Sequence, residues 1–249
     1  MEELRLNKYL ASCGICSRRD ADKLIEQGVV TVNGQAAVQG MKVTAQDEVC
    51  VRGKKVTGRD RLVVLAYYKP VGVVCTERDV HAKKVVTQEI HYPVRVTYAG
   101  RLDKDSEGLL LMTNDGTLID AMMRGANRHE KEYIVKTTEE WSAEALSNMR
   151  SGVYLDELEV TTRPCEIEQL GAKTIRMILT QGLNRQIRRM CKTQGYEVTS
   201  LKRTRVINIG LGNLKPGEYR ELSQDEIRSL YEICGLIQNN YQGVKNERE

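Results

Sequence analysis

The sequence predicts an α+β protein with two unequal domains, the larger of which is built on a mixed, largely antiparallel β-sheet. The chain has 249 residues, which is more than one domain usually contains. A polar and charged segment, KKVTGRDR at residues 54–61, separates two regions with different patterns and is predicted to be a linker. After it, strand-like runs dominate and do not alternate regularly with helices, which favours an α+β domain over a doubly wound one.

Residues 1–60 are predicted to form a small N-terminal domain. The spacing of the apolar residues in LNKYLA indicates a first helix that ends at Gly14, and SRRD at residues 17–20 is a capping box that opens a second helix. The run VVTVNGQAAV alternates as a strand does, with Asn33 and Gly34 as a hairpin turn. A further strand is predicted at DEVCVRG. These elements are enough for a small separate unit.

Residues 61–240 are predicted to form the larger domain. Its strands are expected at six runs: LVVLAYY, GLLLMT, EYIVKT, ELEVTTRPCEIEQL, KTIRMILT and EVTSLKRTRVINI. Short helices are expected near residues 117–124, 142–150 and 185–193. A capping box made by Ser223 and Glu226 opens the last helix, and Gly235 ends it. The final residues, 241–249, are predicted to be a disordered tail.

Composition narrows the function classes. Hydrophobic residues make up 41% of the chain, no run is long enough to cross a membrane, and no signal peptide follows Met1. A cytoplasmic protein without a membrane partner is therefore predicted. The seven cysteines, an odd number, indicate reduced thiols. Cys13 and Cys16 form a CxxC pair, but no second pair and no nearby histidine completes a zinc site, so no metal is expected.

The distribution of charge predicts a nucleic-acid contact, although the net charge is only +4. The stretch from Arg176 to Arg205 contains eight Lys or Arg residues and one acid, Glu197. Four of these cations have the spacing of one helical face: Arg185, Arg188, Arg189 and Lys192. Like charges on one stripe repel, and phosphates offset that cost, which favours RNA or DNA contact over an ordinary solvated face. A weaker basic cluster surrounds the first two helices: Arg5, Lys8, Arg18 and Arg19.

The segment GRLDKDSEGLLLMTNDG at residues 100–116 places three carboxylates, Asp103, Asp105 and Glu107, on alternate positions. A calcium loop is one interpretation, but Asn114 stands where the closing bidentate glutamate is needed, and a strand follows where a helix is needed. A pair of acid and base carboxylates is a second interpretation, but residues two apart on a strand share one face and nothing separates their pKa values. The third interpretation is a single functional carboxylate, Asp103, held ionised by a nearby arginine.

Several motifs resemble one enzyme family. GRLDKDSEGLLLMTNDG resembles the signature of the RsuA/RluB/RluE/RluF group of pseudouridine synthases, and YKPVGVVCT, HEKEYIVKT and QGLNRQIRRMC resemble further motifs of that group. LNKYLASCGICSRRDADKLIEQGVVTVNG resembles the S4-type RNA-binding domain that these enzymes carry. RGANRHEKEY most resembles the RluF branch, which modifies the large-subunit (23S) ribosomal RNA. The resemblance therefore implies an S4-type domain at residues 1–60 and a pseudouridine synthase catalytic domain at residues 61–240.

The resemblance also implies a reaction and roles for four residues. The enzyme would isomerise a uridine to pseudouridine without a cofactor, after flipping the base out of its helix. Asp103 would be the catalytic carboxylate, as nucleophile or as proton acceptor, and Arg188 would pair with it. Tyr133 would stack on the target base, and Arg101 would fill the gap that the flipped nucleotide leaves. Extruding a base costs a few kcal/mol, and stacking on an aromatic ring offsets part of that cost.

The sequence is compatible with two functions: an RNA-modifying isomerase, and a non-catalytic RNA-binding protein of ribosome assembly with the same fold. Taken singly, Tyr133 has a plainer explanation as a core residue, Asp103 as a turn residue and Arg188 as a phosphate clamp. A degenerate relative would have little reason to retain all three, which favours the enzyme. The predicted partner of a monomeric protein is 23S ribosomal RNA or a pre-ribosomal particle, and transfer RNA is left open as a second substrate.

Overall fold

The computed structural model describes residues 3–58, 61–76 and 84–236. The chain divides into two compact units. The N-terminal unit comprises Met1–Val63, Tyr92–Val96 and Asn114–Gly116, and the large unit comprises Val64–His91, Thr97–Thr113 and Thr117–Glu249. The tail predicted at residues 241–249 lies outside the described residues. Within the described ranges, no helix is both long enough and apolar enough to cross a membrane.

The N-terminal unit packs two helices against short strands. Its helices are α1 (Leu6–Ser12) and α2 (Arg18–Glu26), and its strands are β1 (Leu4–Arg5), β2 (Val30–Val32), β3 (Gln35–Ala36), β4 (Lys42–Val43), β5 (Val49–Val51) and β6 (Lys54–Lys55). One sheet has the order β3-β2-β5-β6, and β1 pairs with β4. The Ser17 hydroxyl accepts a hydrogen bond from the Asp20 amide and so caps α2, as predicted. Leu6, Leu10 and Ile25 are buried in the core of this unit.

The second hairpin of this unit includes the first two residues of the predicted linker, so the linker prediction is wrong there. Lys54–Lys55 form β6 and pair with β5, so they belong to the sheet. The chain turns back because Arg52 and Gly53 both adopt left-handed backbone conformations. The charged composition of these residues therefore marks an exposed edge strand. Asn33 and Gly34 make the predicted turn between β2 and β3.

The large unit is an α+β structure, as predicted. Its strands are β7 (Val64–Lys69), β8 (Thr97–Ala99), β9 (Glu107–Thr113), β10 (Lys131–Thr137), β11 (Tyr154–Leu155), β12 (Val160–Thr161), β13 (Glu166–Gly171), β14 (Thr174–Leu179), β15 (Val198–Val206), β16 (Ile209–Gly210) and β17 (Tyr219–Glu221). Its helices are α3 (Val86–Glu89), α4 (Gly116–Met123), α5 (Ala143–Ser151), α6 (Gln186–Thr193) and α7 (Gln224–Ile233). The central sheet has the order β13-β14-β10-β15-β9-β7-β17, with β8 beside β9 and β16 beside β15. The pair β9–β15 is parallel and its other pairs are antiparallel, which confirms the mixed, largely antiparallel sheet.

The parallel contact between β9 and β15 lies at the start of β9. Gly108 of β9 stands beside Arg203 of β15. Gly108 has a φ of +108°, and a Cβ at this position would lie 2.2 Å from the backbone oxygen of Arg203. Glycine adopts this φ without strain and, having no Cβ, leaves room for the Arg203 backbone. This residue therefore lets the two strands approach closely where residues 100–106 join the sheet.

Two helices cover one face of the central sheet. Leu118 of α4 and Leu230 of α7 share a buried core with Leu109 and Leu111, which alternate along β9 and so face the same side. The helix α7 begins after Ser223 with the capping box that the sequence predicted, and this box is reciprocal.

Several predicted elements differ from the structure. The run ELEVTTRPCEIEQL is not one strand, because β12 ends before Pro164 and β13 begins after it. Proline lacks the amide that a strand ladder needs. The helix predicted from Arg185 begins at Gln186, because Arg185 has a φ of 50° and stands at the N-cap in a left-handed conformation.

Candidate active site

The loop between β8 and β9, residues 100–106, contains Asp103 and is called here the Asp103 loop. The Ser106 amide donates to the Asp103 carbonyl oxygen at 3.1 Å, and the Gly72 amide donates to the Lys104 carbonyl oxygen at 2.8 Å. Gly72 belongs to the segment YKPVGVVCT, so two of the sequence motifs meet here. The Asp103 side chain is 33% exposed, which leaves its carboxylate accessible.

Two arginines of QGLNRQIRRMC hold the Asp103 loop. Arg185 Nη1 lies 3.8 Å from Asp103 Oδ2 and 3.6 Å from Asp105 Oδ2, so it bridges the two carboxylates. Arg188 Nη2 donates to the Asp105 carbonyl oxygen at 2.8 Å and to the Ser106 hydroxyl at 3.4 Å. In the described part of the chain, Arg185 thus makes the ion pair of Asp103, the contact that the family resemblance assigned to Arg188. Arg188 fixes the backbone of the same loop.

The predicted basic stripe of α6 is divided among several protein partners. Arg185 stands outside the helix and reaches the carboxylates of the Asp103 loop. Arg188 donates to the Asp105 carbonyl oxygen and the Ser106 hydroxyl of that loop. Arg189 and Lys192 both form ion pairs with Glu157, the latter at 3.6 Å. The four cations therefore do not form one uninterrupted solvated face, because Arg185 lies before the helix and an acid outside α6 meets two of the others.

Buried side chains support the start of the Asp103 loop. Arg203 Nε donates to the Leu109 carbonyl oxygen at 2.7 Å, and its Nη1 donates to the Arg101 carbonyl oxygen at 3.4 Å. The Cys75 sulfur accepts a hydrogen bond from the Leu102 amide at 3.4 Å. Both supporting side chains are buried. The two residues before the acid are therefore held from neighbouring elements, which restricts where the carboxylate can lie.

Two lysines close to Arg203 have low pKa values. Burial lowers the pKa of Lys69 to about 8. Its Nζ donates to the carbonyl oxygens of Pro70 and Val73, both at 2.9 Å, and so closes the turn that contacts the Asp103 loop. Burial and, less strongly, repulsion by Arg203 lower the pKa of Lys131 to about 8. The interior beside the loop therefore contains several cationic groups.

Tyr133 lies in the middle of the sheet. It belongs to β10 and stands opposite Arg203 of β15 and Met177 of β14. Its side chain is nearly buried, with 9% exposed. The neighbouring Glu132 faces the other side of the strand. Arg101, which begins the Asp103 loop, is exposed. The stacking role of Tyr133 and the gap-filling role of Arg101 stay predictions.

The four predicted RNA-binding residues of the N-terminal unit lie on its helix pair. Arg5 precedes α1, Lys8 lies within it, and Arg18 and Arg19 form the first turn of α2. Arg5, Arg18 and Arg19 are exposed, whereas Lys8 is half-buried.

The alternative interpretations of the three carboxylates find little support in the structure. The strand β9 directly follows the Asp103 loop, at the place where an EF-hand requires a helix. Arg185, a cation, bridges Asp103 and Asp105. The Glu107 carboxylate accepts a hydrogen bond from the Tyr68 hydroxyl at 2.9 Å. In residues 3–58, 61–76 and 84–236, no group of three His, Cys, Asp or Glu side chains is placed to hold a metal ion.

Sequence reasoning missed three residues that support the loop: Lys69, Cys75 and Arg203. Lys69 and Cys75 lie in the motif YKPVGVVCT, which resembles a motif of the family. Their residue types alone did not predict a role for them. Arg203 gave no local signal, because the carbonyl oxygen that it binds belongs to a residue 94 positions earlier.

Comparison with known proteins identifies the family. Residues 63–193 match the family model described as RNA pseudouridylate synthase, and residues 4–49 match that of the S4 domain. The chain belongs to the RNA pseudouridine synthases. It is 44% identical over 231 residues to the dual-specificity RNA pseudouridine synthase RluF of Salmonella typhi. The aligned region covers 92% of this chain and 79% of that relative. The chain is 37% identical over 243 residues to the ribosomal large subunit pseudouridine synthase B of Bacillus subtilis, covering 95% and 99%.

A solved structure agrees with this assignment. The crystal structure of a pseudouridylate synthase matches this synthase with a TM-score of 0.68 and 28% identity, over 91% of this chain and 99% of the other. The predicted combination of an S4-type domain with a synthase domain is confirmed, and so is the isomerase activity. The alternative of a non-catalytic RNA-binding protein is not favoured.

Proposed function

We propose that this synthase isomerises a specific uridine of the large-subunit (23S) ribosomal RNA, with Asp103 as its catalytic carboxylate. In this reaction the bond between N1 of uracil and C1′ of ribose breaks, the base turns, and C5 bonds to C1′. C5 loses a proton and N1 gains one, so no group is lost and no electrons are transferred. Side chains that position the base and move a proton are chemically sufficient.

The support for Asp103 is the way its loop is held. Separate parts of the large unit bond to the backbone on both sides of this acid: the turn at Gly72, the strand β15 through Arg203, and α6 through Arg188. The carboxylate itself remains one-third exposed. A loop that is fixed at its backbone and open at one acid is suited to position a reactive group, since positioning supplies a large part of catalysis.

The surrounding residues have separate proposed roles. Arg185 orients the Asp103 carboxylate, and Arg188 acts through the loop backbone. Tyr133 offers a ring on which the flipped uracil stacks, and Arg101, exposed beside the acid, fills the vacated space in the RNA. Asp103 attacks the sugar as a nucleophile or accepts the proton from the 2′ carbon, and both routes need it ionised.

The N-terminal unit has the proposed role of an RNA anchor. Its exposed cations Arg5, Arg18 and Arg19 lie at the starts of the two helices, where phosphates can approach. Lys8 on α1 adds to the same cluster. In the large unit, Arg189 and Lys192 stay proposed phosphate contacts, although their shared partner Glu157 has to be displaced or screened first.

The proposed substrate rests on the relatives and on one motif. Two relatives are named for dual-specificity RNA modification and for the large ribosomal subunit. The segment RGANRHEKEY resembles the RluF branch. We propose 23S ribosomal RNA or a pre-ribosomal particle as the partner of a monomeric, cytoplasmic enzyme, with transfer RNA as a second candidate substrate.

A map of pseudouridines tests this proposal. RNA from cells with and without the protein is compared at single-nucleotide resolution, for both ribosomal subunits and for transfer RNA. We expect one site to be lost from the peptidyl-transferase region of 23S RNA. Loss of a site from the small-subunit RNA instead would contradict the proposal, and a further lost site in a transfer RNA would establish the second substrate.

A further inference from the structure

An exposed basic segment begins at Met123, the last residue of α4, in the large unit. Residues 123–128, MRGANR, are called here the post-α4 segment, and all six are exposed. The segment contains two arginines, Arg124 and Arg128, and no acid. Met123, which begins it, is 41% exposed.

The post-α4 segment has a fixed backbone. The Asn127 side chain donates to the Ala121 carbonyl oxygen at 2.9 Å, which ties the segment to the end of α4. Arg163 Nη1 donates to the Gly125 carbonyl oxygen at 3.2 Å. Arg128 has a φ of 50°, a left-handed conformation that reverses the chain before β10. Because the backbone is already ordered, binding a ligand here costs little further conformational entropy.

The same segment touches the Asp103 loop. Gly100, the first residue of that loop, has a φ of +83°, and a Cβ there would lie 3.0 Å from Met123 Cε and 3.1 Å from its Sδ. Gly100 directly precedes Arg101. Met123 therefore contacts the start of the Asp103 loop, and Arg124 directly follows Met123 in the chain.

Within the described residues, the two arginine side chains of this segment have no charged or hydrogen-bonding protein partner. Among the residues that the structure describes, neither Arg124 nor Arg128 makes an ion pair within 4 Å or a side-chain hydrogen bond. The cations of α6 differ, because Arg189 and Lys192 share Glu157. An arginine without a carboxylate partner keeps its full attraction for phosphate, and its planar group suits bidentate phosphate contacts.

We propose that the post-α4 segment is a phosphate-binding surface that holds the substrate RNA strand beside the Asp103 loop. This inference rests on the proposed function, since it takes RNA as the substrate. Arg124 and Arg128 bind backbone phosphates near the target uridine, and Met123 packs against a ribose or base. Such contacts position the strand and carry no base specificity.

The salt dependence of RNA binding tests the proposal directly. The full-length double variant Arg124→Gln/Arg128→Asn removes both charges, and asparagine tolerates the left-handed backbone at residue 128. The probe is a 23S ribosomal RNA transcript. We expect weaker binding at every salt concentration, and a slope of log Kd against log salt that is smaller by about 1.4 to 1.8 units for two lost phosphate contacts.

Two further variants serve as controls. Arg124→Lys/Arg128→Lys keeps both charges and should keep the slope of the wild-type protein. Lys136→Gln/Lys173→Gln removes two charges near the other end of β10 and should change the slope by less than about 0.5 units. An unchanged slope in Arg124→Gln/Arg128→Asn would overturn the proposal, and so would an equal decrease in both charge-removing variants.

Pseudouridine formation in the same samples separates this inference from the proposed function. If the wild-type protein forms no pseudouridine in 23S RNA, the proposed function has failed. If it forms pseudouridine and the slope of Arg124→Gln/Arg128→Asn is unchanged, only the phosphate-binding surface is wrong.

Discussion

Arg185 Nη1 lies 3.8 Å from Asp103 Oδ2 and 3.6 Å from Asp105 Oδ2, so one guanidinium links two carboxylates of the same loop. The side chains of Arg185 and Asp103 are 41% and 33% exposed, and ion pairs with this much solvent contact contribute only about 0.2 to 1 kcal/mol to stability. The contact therefore matters mainly because it sets the direction in which the carboxylate of Asp103, the proposed catalytic residue, points.

Arg185→Gln should lower catalysis much more than stability. We expect the single-turnover rate of pseudouridine formation at saturating RNA to fall about tenfold to a hundredfold, because a small displacement of the carboxylate is costly. Thermal unfolding should change little. Arg228→Gln is the control, since Arg228 forms an ion pair of similar length, 3.9 Å, with Asp225 on α7. Equal rates for the two variants would show that Arg185 does not orient Asp103.

Gly108→Ala should destabilise the large unit severely. The added Cβ would lie 2.2 Å from the Arg203 backbone oxygen, and the φ of +108° is unfavourable for alanine. Because β9 and β15 would have to separate, we expect the free energy of unfolding to fall by about 3 kcal/mol or more. Gly116→Ala is the control, as no atom lies within 4 Å of a Cβ there, and its effect should stay within about 1 kcal/mol. Similar denaturation midpoints for both variants would contradict this packing.

The buried Lys69 should make the free energy of unfolding depend on pH. Its pKa of about 8 in the folded protein lies below the usual 10.5, because of burial. Between these values the unfolded chain binds the proton and the folded chain does not, so the free energy of unfolding rises with pH. Relative to Lys69→Met, the wild-type protein should gain about 2 kcal/mol between about pH 7 and about pH 9.5.

Denaturant unfolding of both proteins across this pH range measures the effect. The difference between the two curves is used, since tyrosines and cysteines titrate in the same range in both proteins. Lys215→Met, which removes an exposed lysine, should give a curve parallel to that of the wild-type protein. If the curve for Lys69→Met is also parallel to that of the wild-type protein, the pKa of Lys69 is not lowered in the folded protein.

The sequence predicted most of the regular structure, because the relevant signals are local. The turn at Asn33 and Gly34 and the capping box at Ser223 depend on residues within a few positions of each other. The parallel pairing of β9 with β15 was not predicted, since strands far apart in the chain meet there and no local pattern encodes their partner. Short strands such as β8 and β17 were missed for the same reason.

The candidate site was predicted in part. The sequence marked Asp103 and the arginines of QGLNRQIRRMC, and the structure brings two of these arginines, Arg185 and Arg188, into contact with the Asp103 loop. The resemblance assigned the contact with Asp103 to Arg188, whereas Arg185 makes the ion pair. Helical spacing could not predict this, because Arg185 adopts a left-handed conformation before the helix. Arg203 was missed because its role depends on a contact across the sheet.

We propose Asp103, alone among three neighbouring acids, as the catalytic carboxylate. Asp103→Asn keeps the size of the side chain and some hydrogen bonding but removes the anion that acts as nucleophile or base. Asp105→Asn and Glu107→Gln are internal controls, because the first acid is 61% exposed and the second bonds to the Tyr68 hydroxyl.

Single-turnover pseudouridine formation on a 23S ribosomal RNA fragment, with RNA binding measured in parallel, tests this claim most directly. We predict that Asp103→Asn binds RNA as the wild-type protein does and forms no detectable pseudouridine, while Asp105→Asn and Glu107→Gln retain most of the activity. Appreciable turnover by Asp103→Asn, or a comparable loss in all three variants, would contradict the account.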